Sequence, residues 1–316
     1  APVSGRRAEP PSPGYNSAPP FLPALPMSAS QKLGNTTFHG LDAVRLTLPD
    51  GSTAVISAFG AQALSWVPAG GGERLYLSPQ ADFGGSVPIR GGVPVIFPQF
   101  AERGPLPKHG FARTATWTLE EWREQPEAEE GGFACAVYSL TADDASRALW
   151  PHDFRAELTV ALTRDRLDIE LEVENPGSEP LEFTGGLHTY LRVKEVENVT
   201  LTGLHGSRRQ LPGSQETKVE TGPELMVDDE VDQVYLDVPR PLLLKDGRQA
   251  LAIASEGFPD VVVWNPWEHR CASLKDMPAN GFRHVLCVEA VAVGKPVVVA
   301  PGASWWGRQT LVTLDA

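Results

Sequence analysis

The sequence predicts an all-β fold, an antiparallel sandwich with few short helices. Three observations predict it. Two long stretches alternate apolar and polar residues on either side of a turn, which is the period of a half-buried strand. Short strand-like runs recur to the end of the chain with Gly/Pro turns between them, and no long βα alternation interrupts them. The 30 glycines and 29 prolines fall at turns, as a many-stranded fold requires.

The elements follow in order. "DAVRLTLPDGSTAVISAFGAQALSWVP" reads as a hairpin around Pro49-Asp50-Gly51. "FRAELTVALTRDRLDIELEVENPG" reads as a second: Leu158, Val160 and Leu162, then Leu167, Ile169, Leu171 and Val173, alternate with polar residues. Each hairpin is expected to have one wet face and one buried face. Between them, "TADDASRALW" is the best helical signal, short and closed by Pro151. Later strands are expected at Leu242–Leu244, Leu251–Ala254, Asp260–Trp264, Arg283–Val293, Val297–Ala300 and Ser304–Leu314. Composition does not break after Thr36, so residues 36–316 are expected to form one domain. Residues 1–35 are rich in Pro, Ser and Ala without periodicity and read as a disordered leader. The leader lacks the apolar core of a secretory signal. A transit role, or extra sequence ahead of a start at Met27, stays open.

A formal net charge of −13 argues against a nucleic-acid partner, because phosphate backbones need a basic footprint. No apolar run reaches the roughly 18 residues that span a bilayer, so no membrane partner is expected. Cys135, Cys271 and Cys287 form no C-x-x-C pair, which fits a reducing, cytoplasmic setting and disfavours a zinc site. Cys287 reads as a buried thiol. Nucleotide-binding glycine loops, nucleophile elbows and H-E-x-x-H are absent.

Chemistry is instead suggested by polar residues placed where strands should be apolar. In "GGLHTYLRV", His188, Tyr190 and Arg192 share one strand face, which suggests a lined cleft or a hydrogen-bonded structural histidine. Glu289 is the only charge between His284 and Lys295. A carboxylate there is buried or at the base of a pocket, where a raised pKa would suit a general base; pairing with an arginine is the alternative. From Pro88 to Trp117 the chain carries Arg90, Arg103, Lys108 and Arg113 against a single acid, Glu102, and His109 adds a donor. These arginines could bind phosphate oxygens, with Gly91 and Gly92 letting backbone approach a ligand. Taken by themselves they read rather as a surface loop whose arginines pair with nearby acids.

Taken together, "ERLYLSP", "IRGGVPVIFPQF", "LPKHGFAR", "WPHDF", "LHTYLRV", "DQVY", "VVVWNPW" and "LCVEA" occur in an order that resembles the hexose-6-phosphate mutarotases (glucose-6-phosphate 1-epimerases) of the aldose 1-epimerase superfamily. The resemblance covers about Leu41 to Leu314. It implies a galactose-mutarotase-like supersandwich, an isomerase that interconverts the α and β anomers of a hexose 6-phosphate, and no metal or organic cofactor. It implies catalytic roles for His188 and Glu289, phosphate binding by Arg90 and Arg113, and sugar contacts from His109 and Asp232. A base and an acid on opposite sides of the held sugar would open the ring. A monomer is expected. Rival readings are a mutarotase for unphosphorylated aldoses, a non-catalytic sugar-phosphate binder, and a glycosidase domain. The last needs a second catalytic carboxylate that does not present itself.

Overall fold

Alternation of apolar and polar residues becomes three antiparallel sheets in the computed structural model, which describes residues 36–126, 132–210, 214 and 216–314. The expected leader lies outside the described residues. The first strands are β1 (Thr36–Phe38), β2 (Leu41–Thr47), β3 (Thr53–Ser57), β4 (Ala63–Val67), β5 (Val95–Ile96), β6 (Thr118–Gln125) and β7 (Phe133–Thr141). Next come β8 (Arg155–Leu162), β9 (Arg166–Glu174), β10 (Leu181–Leu187), β11 (Tyr190–Arg192), β12 (Val199–Thr202), β13 (Arg208–Gln210) and β14 (Thr217–Val219). The last are β15 (Glu224–Leu225), β16 (Val231–Leu236), β17 (Leu242–Asp246), β18 (Gln249–Glu256), β19 (Asp260–Asn265), β20 (Val285–Val299) and β21 (Ser304–Thr313).

One sheet has the order β14-β13-β16-β19-β20-β10-β5, with β11 also pairing β20. A second runs β15-β12-β17-β18-β21-β9-β8-β7-β6, and β1 to β4 form a third. One apolar cluster joins all three, with Trp66 from the small sheet, Leu158 and Ile169 from the nine-stranded sheet, and Val263 and Val288 from the first. Two short α-helices are described: α1 (Asp144–Leu149) and α2 (Trp267–Cys271). Asp143 caps α1 by accepting from the Ser146 N–H while Ser146 reaches back, so the expected helix forms where its capping box begins.

The second expected hairpin is β8–β9, and its Leu158-to-Val173 series is buried as the alternation requires. Three expectations change. The first hairpin is a three-stranded meander, because Gly60 and Ala61 at positive φ turn the chain between β3 and β4. Residues Ala54 to Ser57 of β3 are all buried, so that hairpin lacks a continuous wet face: Ala54 and Ile56 pack into the main apolar cluster, and Ser57 on the other face donates its hydroxyl to the Phe59 carbonyl. The separate strands at 283–293 and 297–300 are one strand, β20, starting at Val285. The register against β10 shifts between Phe183 and Gly185, and this irregularity accommodates Gly294-Lys295-Pro296.

Candidate active site

The site is built from two transverse rows on one face of the first sheet. β16, β19 and β20 place Asp232, Trp264 and Cys287 side by side, and β11 adds Tyr190. One step along, Val234, Val262 and Glu289 form the next row. Leu187 faces Ala290 and Tyr190 faces Cys287, so His188 falls opposite Glu289. Residues two apart along a strand share a face, and both rows therefore point the same way. All of these residues but Cys287 and the β10 residue Leu187 with its partner Ala290 line a cleft of about 1120 Å³.

His188 Nε2 stands 3.4 Å from Glu289 Oε1, and both side chains are buried. Burial, reinforced by the Asp232 carboxylate, holds Glu289 well above the usual carboxylate range; Lys108 and Arg113 pull weakly the other way. Burial, reinforced by His109, Arg113 and Arg90, holds His188 well below the usual imidazole value. Both directions favour the neutral pair, with one proton between the two groups on the carboxyl side. The His188 ring stacks on Tyr190 at 4.6 Å between centroids and meets Trp264 edge-on. Cys287 is fully buried in the apolar core and does not line the cleft, and burial keeps its thiol protonated, so it is no nucleophile.

The segment from Val87 to Arg113 forms a wall. Arg90 Nη1 donates to the Tyr190 hydroxyl at 3.0 Å and Nε to Asp276 at 3.1 Å. Arg113 Nη2 donates to the Lys108 carbonyl at 2.6 Å. Both arginines line the same cleft as His188 and Glu289. The His109 Nδ1 accepts from the Ala101 N–H at 3.3 Å, so the ring proton sits on Nε2 as a donor. Burial first, then Arg113 and Lys108, lowers the His109 pKa to about 3, which keeps that tautomer neutral. Asp232 lines the cleft at its rim, 3.5 Å from Arg270. His188, Glu289, Arg90, Arg113, His109 and Asp232 thus all line one cleft. Among the described residues no cluster of His, Cys, Asp or Glu is arranged to hold a metal.

Three readings of the sequence are corrected. Arg192 does not join His188 and Tyr190: it lies past the cleft, opposite Val285, and is exposed. Gly91 and Gly92 serve backbone packing rather than ligand approach. A Cβ on Gly91 would stand 2.4 Å from the Tyr76 carbonyl oxygen, and one on Gly92 would stand 2.2 Å from that of Ala63. His188 and Glu289 are neighbours on one floor, not groups on opposite sides of a ligand. Sequence reasoning also missed Asp276 and Arg270, which come from α2 and the loop after it. No spacing in the chain links Asp276 to Arg90, 186 residues away.

The antiparallel β-sandwich that carries this cleft is a galactose-mutarotase-like fold. The crystal structure of a "putative mutarotase (YeaD)" from Salmonella typhimurium matches with a TM-score of 0.81 at 28% identity, covering 89% of this chain and 93% of that one. The chain belongs to the aldose 1-epimerase family, whose profile matches residues 42–311, and is an isomerase-class enzyme. A protein of Cenchrus ciliaris named "Putative glucose-6-phosphate 1-epimerase" is 34% identical over 284 residues, 87% of this chain and 85% of its own length. An Escherichia coli protein of the same name is 34% identical over 235 residues, covering 73% of this chain and 76% of that protein.

Proposed function

We propose that the protein interconverts the α and β anomers of a hexose 6-phosphate, glucose 6-phosphate above all, with Glu289 as base and His188 as acid. The observation that carries this reading is the buried Glu289–His188 pair in the same cleft as Arg90 and Arg113. A carboxylate and an imidazole within proton-transfer reach supply the chemistry. Two guanidinium groups supply what a phosphate needs and a neutral sugar does not.

Ring opening takes the proton from the C1 hydroxyl and delivers one to the ring oxygen, breaking the C1–O5 bond. Both oxygens are bonded to C1, so a base and an acid standing side by side can reach them together. Glu289 receives the hydroxyl proton and His188 gives its proton to O5. Rotation about C1–C2 presents the other carbonyl face, and closure reverses both transfers. The pair holds one proton throughout: the ring form needs carboxylate and imidazolium, and the open aldehyde leaves carboxylic acid and neutral imidazole. Burial favours the second arrangement in the free protein. A phosphate dianion on Arg90 and Arg113 offsets two of the cations that disfavour a charged His188, and so helps the proton cross to the imidazole. His109 donates to a ring hydroxyl and Asp232 accepts from one. Remote binding through the phosphate positions C1 over the pair.

Two-dimensional exchange NMR on the anomers of glucose 6-phosphate and of glucose, with and without protein, tests the reading. Acceleration of the phosphorylated sugar well beyond that of glucose is expected. Faster exchange of glucose would overturn the phosphate assignment, and binding without exchange would overturn the acid–base assignment.

A further inference from the structure

His188 and Glu289 are each followed or preceded by a residue that points to the opposite side of the sheet. Thr189 follows His188 and Val288 precedes Glu289, and strand alternation turns both toward the nine-stranded sheet. There one side chain meets both. Gln309 of β21 is fully buried between Ile169 of β9 and Ser255 of β18. Its Nε2 donates to the Val288 carbonyl at 3.0 Å, and its Oε1 accepts from the Thr189 hydroxyl at 2.5 Å. A carbonyl only accepts, so the amide orientation is fixed, and the threonine must be the donor.

The clip sits where the chain needs it. Residues 188 and 189 lie between β10 and β11, outside regular strand pairing. His188 and Tyr190 give their backbone N–H groups to Pro94 and Gly92, and the Val288 N–H bonds to the Thr189 carbonyl at 3.1 Å. A small cavity of about 100 Å³, lined by Val288, Phe258 and Gln309 itself, lies behind. That space would let the two segments shift if the amide were lost.

We propose that Gln309 is a positioning residue that sets His188 against Glu289 from the far side of the sheet, by holding Thr189 and Val288 at once. It touches neither substrate nor the reacting atoms. The proposal rests on the proton-transfer roles given above for the pair. Misplacement of such groups by about 1 Å costs about a hundredfold in rate.

The test compares Gln309→Leu, Thr189→Val and Thr189→Ser with the parent protein. Anomer exchange of glucose 6-phosphate gives kcat and KM, thermal melting gives the folded fraction, and NMR of the His188 ring gives its titration. For Gln309→Leu, kcat per folded molecule is expected to fall about 10–100-fold with KM within about threefold. Thr189→Val should lose a smaller part of kcat, and Thr189→Ser, which keeps the hydroxyl, should recover it. A folded Gln309→Leu protein with kcat within about twofold of the parent overturns the proposal. So does a Thr189→Ser variant as impaired as Thr189→Val, which also decides the matter if Gln309→Leu fails to fold. Absence of exchange by the parent protein on either sugar would overturn the functional reading alone. The His188 titration would then decide the positioning claim: a shift in Thr189→Val but not in Thr189→Ser supports it, and no shift in either refutes it.

Discussion

Glu289→Gln separates binding from proton transfer. The amide matches the carboxyl in shape, and the native side chain is only 3% exposed, so the cleft keeps its form. An amide cannot take the C1 hydroxyl proton. Loss of a positioned base costs about 10²–10⁴-fold in kcat, or about 3–5 kcal/mol of barrier. Affinity for glucose 6-phosphate should stay within about tenfold, since Arg90 and Arg113 remain. Stability supplies a second readout with a fixed sign. The folded pKa of Glu289 lies above its unfolded value of about 4.3, so above that pH the native state binds the extra proton and stability falls as pH rises toward the folded pKa. The glutamine variant lacks this loss, and its advantage over the parent should grow with pH at up to about 1.4 kcal/mol per pH unit. Exchange NMR and urea midpoints between pH 4.5 and pH 8 measure both. Near-parental turnover would refute the base assignment, and parallel midpoint curves would refute the claim that burial holds the carboxyl protonated.

Arg90→Ala should raise KM for glucose 6-phosphate about 10–100-fold through the lost charged hydrogen bond and leave glucose exchange little changed; equal losses on both sugars would make Arg90 structural. His109 is held neutral in the fold with a pKa of about 3, so its share of stability is present above pH of about 6.5 and is lost as pH falls through that window toward 3. His109→Asn, which tolerates the positive φ of 66° at this position, should flatten the acid side of a stability profile, and an unchanged slope would count against that origin. Gly92→Ala should lower Tm by more than about 5 °C, because Gly92 has φ of 60° and its Cβ would meet the Ala63 carbonyl; a Tm within about 2 °C of the parent would show that the segment yields.

Much of the fold is legible in the chain because local period and burial agree. Leu158 to Val173 alternate in sequence and in the core, and Asp143 to Ser146 spell the start of α1. The failures are tertiary. Nothing in the sequence around Val55 says that both faces of β3 are covered. The Gly294-Lys295-Pro296 stretch looks like the end of a strand, yet β20 carries it as an irregularity beside β10. The glycines after Arg90 resemble a ligand loop, and the neighbouring carbonyls of Tyr76 and Ala63 explain them instead.

The site shows the same division between what a strand reveals and what a sheet decides. Glu289 is conspicuous as a lone charge in an apolar run, and the parity of "LHTY" puts His188 and Tyr190 on one face. Their pairing depends on a register, with Leu187 opposite Ala290 and Tyr190 opposite Cys287, and a one-residue slip would turn one partner to the other side of the sheet. Register is set by long-range contacts that no local pattern encodes. Gln309 is the extreme case: an ordinary polar residue in β21, it becomes meaningful only when the second sheet brings its amide beneath Thr189 and Val288. The placement of His188 against Glu289 therefore depends on two sheets packed in one relative position, and a change in either sheet can reach it without touching the cleft.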